Sequence, residues 1–575
     1  MKLKTLVNLS FALAAAPLVL LPGLAKADVA NPLCPSETAF FDPGNGQDIA
    51  LPEGYTISVF AKGLNMPTGI AFQGNKNRFN VYVLESGHGL PSRCNEQDQI
   101  SGGVSNPNNP FTPDILVFGQ NGGLPIATLG KPSGGGGFQP AGPAVDIGFE
   151  HGSQGGRLFA TDSNQATHGG GQNSSSRIVT VDINSGAVTP IITGLPTGDH
   201  PTEQLAFKDG WIYWSQGSTT NSGVVGLDNN AGHNQPDIPC QDIKLSNNVF
   251  QSSASVATSG YMPFGVQAPG AVVPAFKNTM TGQIRQGVCD GATLRAKLND
   301  PNHTIEPFGW GHRNGYAIRF APDDHPLAGR LLVGEDGAEE RGARPSNNAP
   351  EVLSVDEQNP DGSPVFHGWP DRFGFLPASQ AVFNPVGGPA DDFPAAVVGK
   401  PIKDVLAFPP APIVAPLAIE AADSSFTAID FVPNSFTSDL VQRGAALYSL
   451  EGDFGFSKPN ATAPAPEVGH EIKVINFNLD RNHDRDIPLS LSFANFARNK
   501  SGDQAFVTHS HAFNRPTNVR FGPDGCAYVV DYGAVRDLGG GEPFQDPGSS
   551  TIANPADGPL VQIPRTGVIW KICRQ

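Results

Sequence analysis

The chain has 575 residues and a formal charge of −17 at neutral pH. Such a charge repels phosphate backbones and anionic membrane surfaces, so nucleic acid is not expected as a partner. Glycine (68) and proline (53) are abundant, and long amphipathic helical patterns are hard to find, which favours short strands joined by turns and long loops.

The N-terminus has the three parts of a secretory signal peptide: a basic start with Lys2 and Lys4, an apolar run to about Leu21, and small residues up to Ala27. We expect cleavage near Ala27, with residues 1–27 as the signal peptide and residues 28–575 as one domain. No later stretch reaches the roughly 18 apolar residues of a membrane span. The sequence therefore predicts a secreted or periplasmic protein without a membrane span.

An internal repeat is the most informative feature of the mature chain. An aliphatic-x-Phe triplet recurs six times, and each copy is followed by a turn-rich gap and a second alternating run that ends in a small or acidic residue. Alternation with a period of two in both halves predicts a strand-turn-strand unit with one buried face. The triplets are Ile70–Phe72, Ile147–Phe149, Leu205–Phe207, Ile318–Phe320, Ile429–Phe431 and Val519–Phe521.

A single hairpin cannot bury its apolar face, but six hairpins arranged around an axis can pack on their neighbours and keep their edges short. We therefore predict an all-β fold, a six-bladed β-propeller with long loop insertions between its strands. A β-rich sandwich in which the triplet recurs by chance is the alternative. The largest insertions are predicted at 122–143, 221–299 and 372–425.

The six cysteines all follow the signal peptide, and an even number in an exported chain predicts disulfides. Cys526 and Cys573 are expected on neighbouring strands of the last blade, which favours a bond between them. No CxxC pair occurs, which argues against a zinc site. The other cysteines are Cys34, Cys94, Cys240 and Cys289.

Polar side chains precede three of the triplets, at equivalent places in the repeat. In a propeller these segments face the axis at one end, so His, Asp, Arg and Asn from different blades are predicted to meet there, as a catalytic or ligand-binding cluster requires. The segments are Gly198-Asp199-His200-Pro201, Gly309-Trp310-Gly311-His312-Arg313-Asn314-Gly315 and His509-Ser510-His511-Ala512-Phe513-Asn514-Arg515-Pro516.

These segments resemble those of the six-bladed, pyrroloquinoline-quinone (PQQ)-dependent glucose/sorbosone dehydrogenases. The resemblance spans most of the mature chain, and Gly-His-Arg-Asn is its moderately specific part. Further similar segments are Leu51-Pro-Glu-Gly-Tyr55, Phe366-His-Gly-Trp-Pro370, Phe521-Gly-Pro-Asp-Gly525 and Gly567-Val-Ile-Trp-Lys571.

The resemblance implies an exported oxidoreductase that oxidises an aldose or related alcohol by hydride transfer to a quinone, with a cytochrome or other small acceptor as partner. His200 would be the catalytic base, Asp199 would orient it, and Arg313 would stabilise the developing charge. Arg313, Asn314 and Arg515 would bind the cofactor.

The resemblance also implies that the loop after the second strand of the fourth blade contributes to the cofactor site and binds calcium. Asp336 and Gly337 would contact the cofactor, and Glu335 and Asp336 would bind a calcium ion. The loop continues as Ala338-Glu339-Glu340-Arg341 and lacks the Gly-Pro of the family pattern.

Two further positions depart from the family pattern. Thr517 stands where a second arginine follows Arg515, and Glu451 stands where a cofactor-binding lysine is expected. A carboxylate beside a tricarboxylate cofactor is repulsive.

Two other functions fit the same fold. A calcium-dependent six-bladed hydrolase or lactonase would use a central cluster of carboxylates and an amide, which Glu85, Asn314 and Asp531 could supply. A non-catalytic propeller would bind a glycan or a protein in the cell envelope. The pair His200 and Arg313 favours the dehydrogenase, whereas the two departures favour the alternatives.

Overall fold

The computed structural model describes most of the region that contains the six repeats. The predicted signal peptide, Cys34, Cys94 and residues 339–341 lie outside the described residues. The described residues are 29–30, 38–39, 41–87, 113–130, 136–139, 142–163, 175–225, 235–249, 262–266, 268–338, 344, 349–374, 376–377, 403–412, 415–452, 468–478, 490–536, 561–562 and 565–575.

Six antiparallel sheets of four strands form the blades of a β-propeller, as the repeats predict. The first strands of successive blades contact one another around the ring, including those of blades 6 and 1, so they form the inner wall. From the axis outward the strands are Pro67–Asn75, Arg78–Glu85, Asp114–Gly119 and Ala127–Leu129 in blade 1; Ile147–Phe149, Leu158–Asp162, Ser176–Val181 and Val188–Leu195 in blade 2; Thr202–Lys208, Trp211–Gln216, Ala292–Lys297 and Glu306–Trp310 in blade 3; Asn314–Phe320, Leu331–Asp336, Glu351–Asp356 and Ala418–Glu420 in blade 4; Phe426–Phe431, Ala446–Leu450, Glu471–Asn478 and Ser490–Asn499 in blade 5; and Pro516–Phe521, Ala527–Asp531, Gly567–Arg574 and Tyr55–Leu64 in blade 6.

The last blade closes the ring with strands from both ends of the described chain. Gly567–Arg574 pairs with Tyr55–Leu64, with Trp570 opposite Val59. Cys526 directly precedes the second strand of this blade, Cys573 lies in the third strand, and the two form a disulfide, which confirms the predicted bond. A second disulfide joins Cys240 to Cys289.

The recurrence of the triplet has a physical cause in the contacts between blades. All six triplets lie on first strands, and four of their phenylalanines pack against an aromatic ring on the second strand of the preceding blade. Aromatic pairs of this kind bury much apolar area and add about 1 kcal/mol each beyond it. The pairs are Phe72 with Tyr528, Phe149 with Tyr82, Phe207 with Phe159 and Phe320 with Tyr213.

Short elements extend and connect the blades. Val365–Phe366 adds to blade 3 in parallel and Ile49–Ala50 adds to blade 5. Two of the three predicted insertions, 221–299 and 372–425, meet where Ile243–Leu245 pairs with Leu406–Phe408. No helix in the described part of the chain is long and apolar enough to cross a membrane. The remaining elements are the strands Val29–Ala30, Thr38–Ala39, Val224–Val225, Met262–Pro263, Val272–Val273, Arg372–Phe373, Leu376–Pro377, Val535–Arg536 and Val561–Gln562, the 3-10 helices Gly152–Gln154 and Asn434–Phe436, and the α-helix Ala505–Thr508.

Candidate active site

One end of the ring collects several of the polar residues that the repeat predicts, but His511 instead contacts the segment before Ile49–Ala50, with its Nδ1 2.7 Å from the carbonyl oxygen of Asp42. The first strands begin and the second strands end at this end, which we call the axial mouth; the register places Pro67 opposite Glu85 and Asn314 opposite Asp336. In five blades the first strand has a register shift at its start, and such irregularities re-aim side chains. The mouth is therefore built from turns and strand starts on a rigid ring.

Asp199 lies between His200 and Arg313, which brings the three predicted catalytic residues together. Its Oδ2 atom is 3.4 Å from Nε2 of His200 and 3.5 Å from Nη2 of Arg313. The backbone holds this geometry, because the amides of Asp199 and His200 donate to the carbonyl oxygens of Thr219 and Ser218 at 2.9 and 3.0 Å. The segment is thus pinned to the turn that follows the second strand of blade 3.

Gly217 allows His200 to approach blade 4. A Cβ atom at Gly217 would lie 2.2 Å from Cβ of His200 and 3.1 Å from Oδ1 of Asn314. Contacts below 3.0 Å require something to shift, so only glycine permits the present packing.

Arg313 and Asn314 connect this cluster to the end of the second strand of blade 4. The guanidinium of Arg313 donates to the carbonyl oxygen of Gly337 at 2.6 Å, and Nδ2 of Asn314 donates to Oδ2 of Asp336 at 3.1 Å. Arg313 is buried, with 1% of its surface exposed. The predicted cofactor residues of this blade are therefore in mutual contact.

Glu335, a predicted calcium ligand, is engaged by protein donors at both carboxylate oxygens. Oε1 accepts from the amide of Arg313 at 2.6 Å, and Oε2 lies 3.1 Å from Nδ1 of His312. Calcium requires six to eight oxygen ligands. Here the Gly337 carbonyl accepts from Arg313 instead, so the described part of this loop does not fit a calcium cage, and the calcium assignment stays a prediction.

Arg515 lies in blade 6 next to the acidic residue that replaces the expected lysine. Its guanidinium donates to the carbonyl oxygen of Gly452 at 2.7 Å. Burial raises the pKa of Glu451 to about 7; the positive charge of Arg515 opposes this rise and the negative charge of Asp531 adds to it. The Thr517 hydroxyl lies within hydrogen-bond distance of two carbonyl oxygens of the wall, those of Pro67 and Val530, and can donate to either.

Two further residues of the inner wall, Glu203 and Tyr316, escape prediction from the sequence. Glu203 is 1% exposed, and burial together with the negative charge of Asp336 raises its pKa well above the usual range. Burial also raises the pKa of Tyr316, with contributions from the negative charges of Glu203 and Glu451. Both residues lie two positions before a triplet, within the irregular start of the strand, and this position is the signal that could have identified them.

Two carboxylates of the alternative hydrolase cluster, Asp531 and Glu85, accept hydrogen bonds from backbone amides of the ring. Asp531 accepts hydrogen bonds from the amides of Asn514, Arg515 and Gly533 and from the indole of Trp570. Oε1 of Glu85 accepts from the amide of Asn65 at 2.6 Å. These bonds give Asp531 a structural role at the strand end.

No family model matches the chain, and no curated protein matches it. Three solved structures are similar in fold. They are a Trichoderma reesei carbohydrate-active enzyme of family AA12 (14% identity, 92% of this chain and 98% of that chain covered, TM-score 0.46), the PQQ domain of pyranose dehydrogenase from Coprinopsis cinerea (13%, 92% and 98%, TM-score 0.47) and the soluble aldose sugar dehydrogenase of Escherichia coli (11%, 91% and 100%, TM-score 0.43). At these identities and TM-scores the similarities carry no inference about activity.

The charges of the axial mouth do not fit PQQ, which carries three carboxylates. The two arginines that would bind it are buried and donate to the carbonyl oxygens of Gly337 and Gly452. Glu451 stands where a cation is expected, and burial already raises its pKa to about 7, so a further negative charge nearby is unfavourable. Asp199, His200 and Asn314 lie together at the mouth, whereas the cations of the family pattern are missing at Glu451 and Thr517.

Proposed function

We propose that the axial mouth is the active site of an exported enzyme that acts on a small neutral carbohydrate, with His200 as general base. The assembly of Asp199, His200 and Arg313 from blades 3 and 4 carries this proposal. A base within reach of an orienting carboxylate, at the mouth of a rigid ring, is an arrangement suited to removing a hydroxyl proton.

Within this class, the proposed reaction is oxidation of an aldose or a related alcohol. His200 takes the hydroxyl proton, and Arg313 stabilises the negative charge that develops on the oxygen. A bound cofactor would accept the hydride that leaves the carbon of the oxidised alcohol. The acidic mouth favours an acceptor with less negative charge than PQQ, re-oxidised by a cytochrome or another small partner.

Lactone hydrolysis is the second candidate, and Glu203 favours it. Burial raises the pKa of this residue well above the usual range, which favours the neutral acid. A neutral carboxylic acid and a separate base are the pair that hydrolysis uses, one to protonate the leaving oxygen and one to activate water. This reaction needs water as its co-reactant and no electron acceptor.

Export is supported by two independent features. The first 27 residues have the pattern of a signal peptide, and two disulfides form within the described residues. Disulfides persist in oxidising compartments. We therefore propose a secreted or periplasmic location and a single domain after the signal peptide.

The decisive experiment compares the two reactions on the same purified protein. Dye-linked oxidation is measured over a panel of aldoses, with and without added PQQ and calcium, and lactone hydrolysis is followed by pH-stat with and without a chelator. Dye reduction that depends on His200 supports the dehydrogenase, and hydrolysis without dye reduction supports the lactonase. If the protein shows neither activity but binds glycans measurably, both enzyme proposals are overturned in favour of a non-catalytic, glycan-binding propeller.

A further inference from the structure

Two histidines and an aspartate from three separate segments meet beside blade 4. His312 precedes the first strand of blade 4, Asp356 ends its third strand, and His367 follows the short strand Val365–Phe366. Oδ1 of Asp356 lies 3.0 Å from Nε2 of His312 and 2.7 Å from Nε2 of His367. Because the three residues lie in separate segments of the sequence, no local sequence motif predicts this cluster.

The cluster is fully enclosed. His312, Asp356 and His367 are 1%, 0% and 5% exposed. One potential ligand atom from each residue lies within 4.8 Å of the other two. The two imidazole rings stack with their centroids 4.3 Å apart. Groups this close and this buried are either a charge network or the ligands of an ion.

A second carboxylate orients one of the histidines from outside the cluster. Oε2 of Glu335 lies 3.1 Å from Nδ1 of His312, and Glu335 is itself 3% exposed. Metal-bound histidines commonly donate their other ring nitrogen to a carboxylate, which fixes the tautomer and the ring orientation. Glu335 therefore supplies to His312 the supporting hydrogen bond that a metal-binding histidine commonly has.

The backbone around the cluster is shaped to admit these side chains. A Cβ atom at Gly309 would lie 2.4 Å from the carboxyl group of Asp356, so glycine makes room for the carboxylate. The amide of His367 donates to the carbonyl oxygen of Trp310 at 2.8 Å, and the amide of His312 donates to that of Gly291 at 3.0 Å. All three candidate ligands are thus held before any ion binds.

Two buried polar atoms of the cluster have no hydrogen-bond partner in the described part of the chain. They are Oδ2 of Asp356 and Nδ1 of His367. A buried polar atom without a partner costs about 1–3 kcal/mol. The enclosed carboxylates of Asp356 and Glu335 also bring negative charge, which a divalent cation would neutralise.

We propose that His312, Asp356 and His367 bind one zinc ion, with Glu335 orienting His312. Two imidazole nitrogens and one carboxylate oxygen are ligands that zinc accepts, whereas calcium prefers oxygen ligands alone. Three protein ligands leave one position of a tetrahedral ion for water. The absence of CxxC pairs argues against a cysteine zinc site, and this site uses no cysteine.

The ion would act as a positioning element for the axial mouth. His312 immediately precedes Arg313, whose guanidinium donates to Gly337 and contacts Asp199. A bound zinc would tie the segment before blade 4 to the end of its third strand. The proposal does not depend on which reaction the mouth performs.

Metal analysis of the full-length mature protein tests the proposal. Protein stripped with a chelator is titrated with Zn²⁺ and, separately, with Co²⁺, whose visible absorption reports tetrahedral nitrogen and oxygen ligands. We expect about one zinc per chain, a rise in the unfolding temperature on zinc addition and a cobalt spectrum of tetrahedral type. His367→Gln should lower zinc binding at least tenfold.

The control is His303→Gln, because His303 is exposed and pairs with Asp300 at 2.7 Å, away from the cluster. The His303→Gln variant should bind zinc with the same affinity as the wild type. The His200→Ala variant should do the same. Wild-type protein that binds neither zinc nor cobalt would overturn the site and leave a buried charge network. Zinc binding that survives His367→Gln would also overturn it.

Discussion

The carboxylate of Asp199 lies 3.4 Å from Nε2 of His200, in a turn that the backbone pins to the end of the second strand of blade 3. This contact places a carboxylate beside the imidazole of His200. In the proposed function, His200 would act as the base and Asp199 as the residue that positions it.

His200→Ala should lower kcat by about two to four orders of magnitude and change KM little, because it removes the base and leaves the pocket. Steady-state kinetics on the substrate found in the panel measure the effect. His303→Ala is the matched control, since it removes an exposed histidine that also pairs with an aspartate. Equal turnover in His200→Ala and the wild type would refute the assignment.

Gly217→Ala should lower kcat while the protein stays folded. The added Cβ would meet Cβ of His200 at 2.2 Å, so the imidazole must move, and a displacement of about 1 Å can cost up to roughly a hundredfold in rate. Gly119→Ala provides the control, because a Cβ there meets nothing within 4 Å. If both variants keep full activity, the position of His200 does not control the reaction.

The sequence predicts the ring better than it predicts the site. Triplets such as Ile70–Phe72 carry the inter-blade aromatic contacts, so the repeat is visible along the chain. The Cys526–Cys573 bond follows from adjacent strands in the same way. In contrast, the strand Tyr55–Leu64 completes blade 6 from far away in sequence, and its pairing has no local signal.

The site is less predictable because its contacts cross between segments. Asp199, His200 and Arg313 were identified from their equivalent places in the repeat, and the structure brings them together. In the sequence, Glu203 has the pattern of an ordinary strand residue. Its raised pKa arises mainly from burial, which the sequence does not show. The meeting of His312 with His367 depends on the insertion between the third and fourth strands of blade 4.

Glu451→Lys should give the mouth a measurable affinity for PQQ, because it replaces a carboxylate with a cation beside Arg515. The added positive charge should lower the Kd for PQQ at least tenfold relative to the wild type, which corresponds to about 1.4 kcal/mol of binding free energy. The Kd of Glu451→Gln for PQQ should lie between those of the wild type and Glu451→Lys. Titration of protein fluorescence with PQQ measures the affinities, and a wild type that already binds as tightly as the lysine variant would contradict the charge argument.

Glu451 should also make stability depend on pH. Its pKa is raised from 4.5 to about 7 in the folded protein, mainly by burial. The unfolded chain loses this proton first, so the stabilisation is fully present below about pH 4.5 and is lost as the pH rises through about 7. Relative to Glu451→Gln, the wild type should lose roughly 3 kcal/mol of unfolding free energy across this window. Urea unfolding at several pH values measures the difference, and parallel curves for the two proteins would exclude the effect.

The disulfide of the last blade should stabilise the closed ring. Cys526 and Cys573 are 47 residues apart in sequence, and their bond joins the second strand of blade 6 to the third, which in turn pairs with Tyr55–Leu64. A cross-link of this span restricts the unfolded chain by about 4 kcal/mol. The double variant Cys526→Ser/Cys573→Ser should therefore unfold at a lower denaturant concentration. Cys240→Ser/Cys289→Ser removes a bond with a similar separation of 49 residues in the insertion of blade 3, so it controls for chain entropy alone. A larger loss of stability in the blade 6 variant shows that ring closure depends on its disulfide, and equal losses show that the bond acts through the unfolded chain.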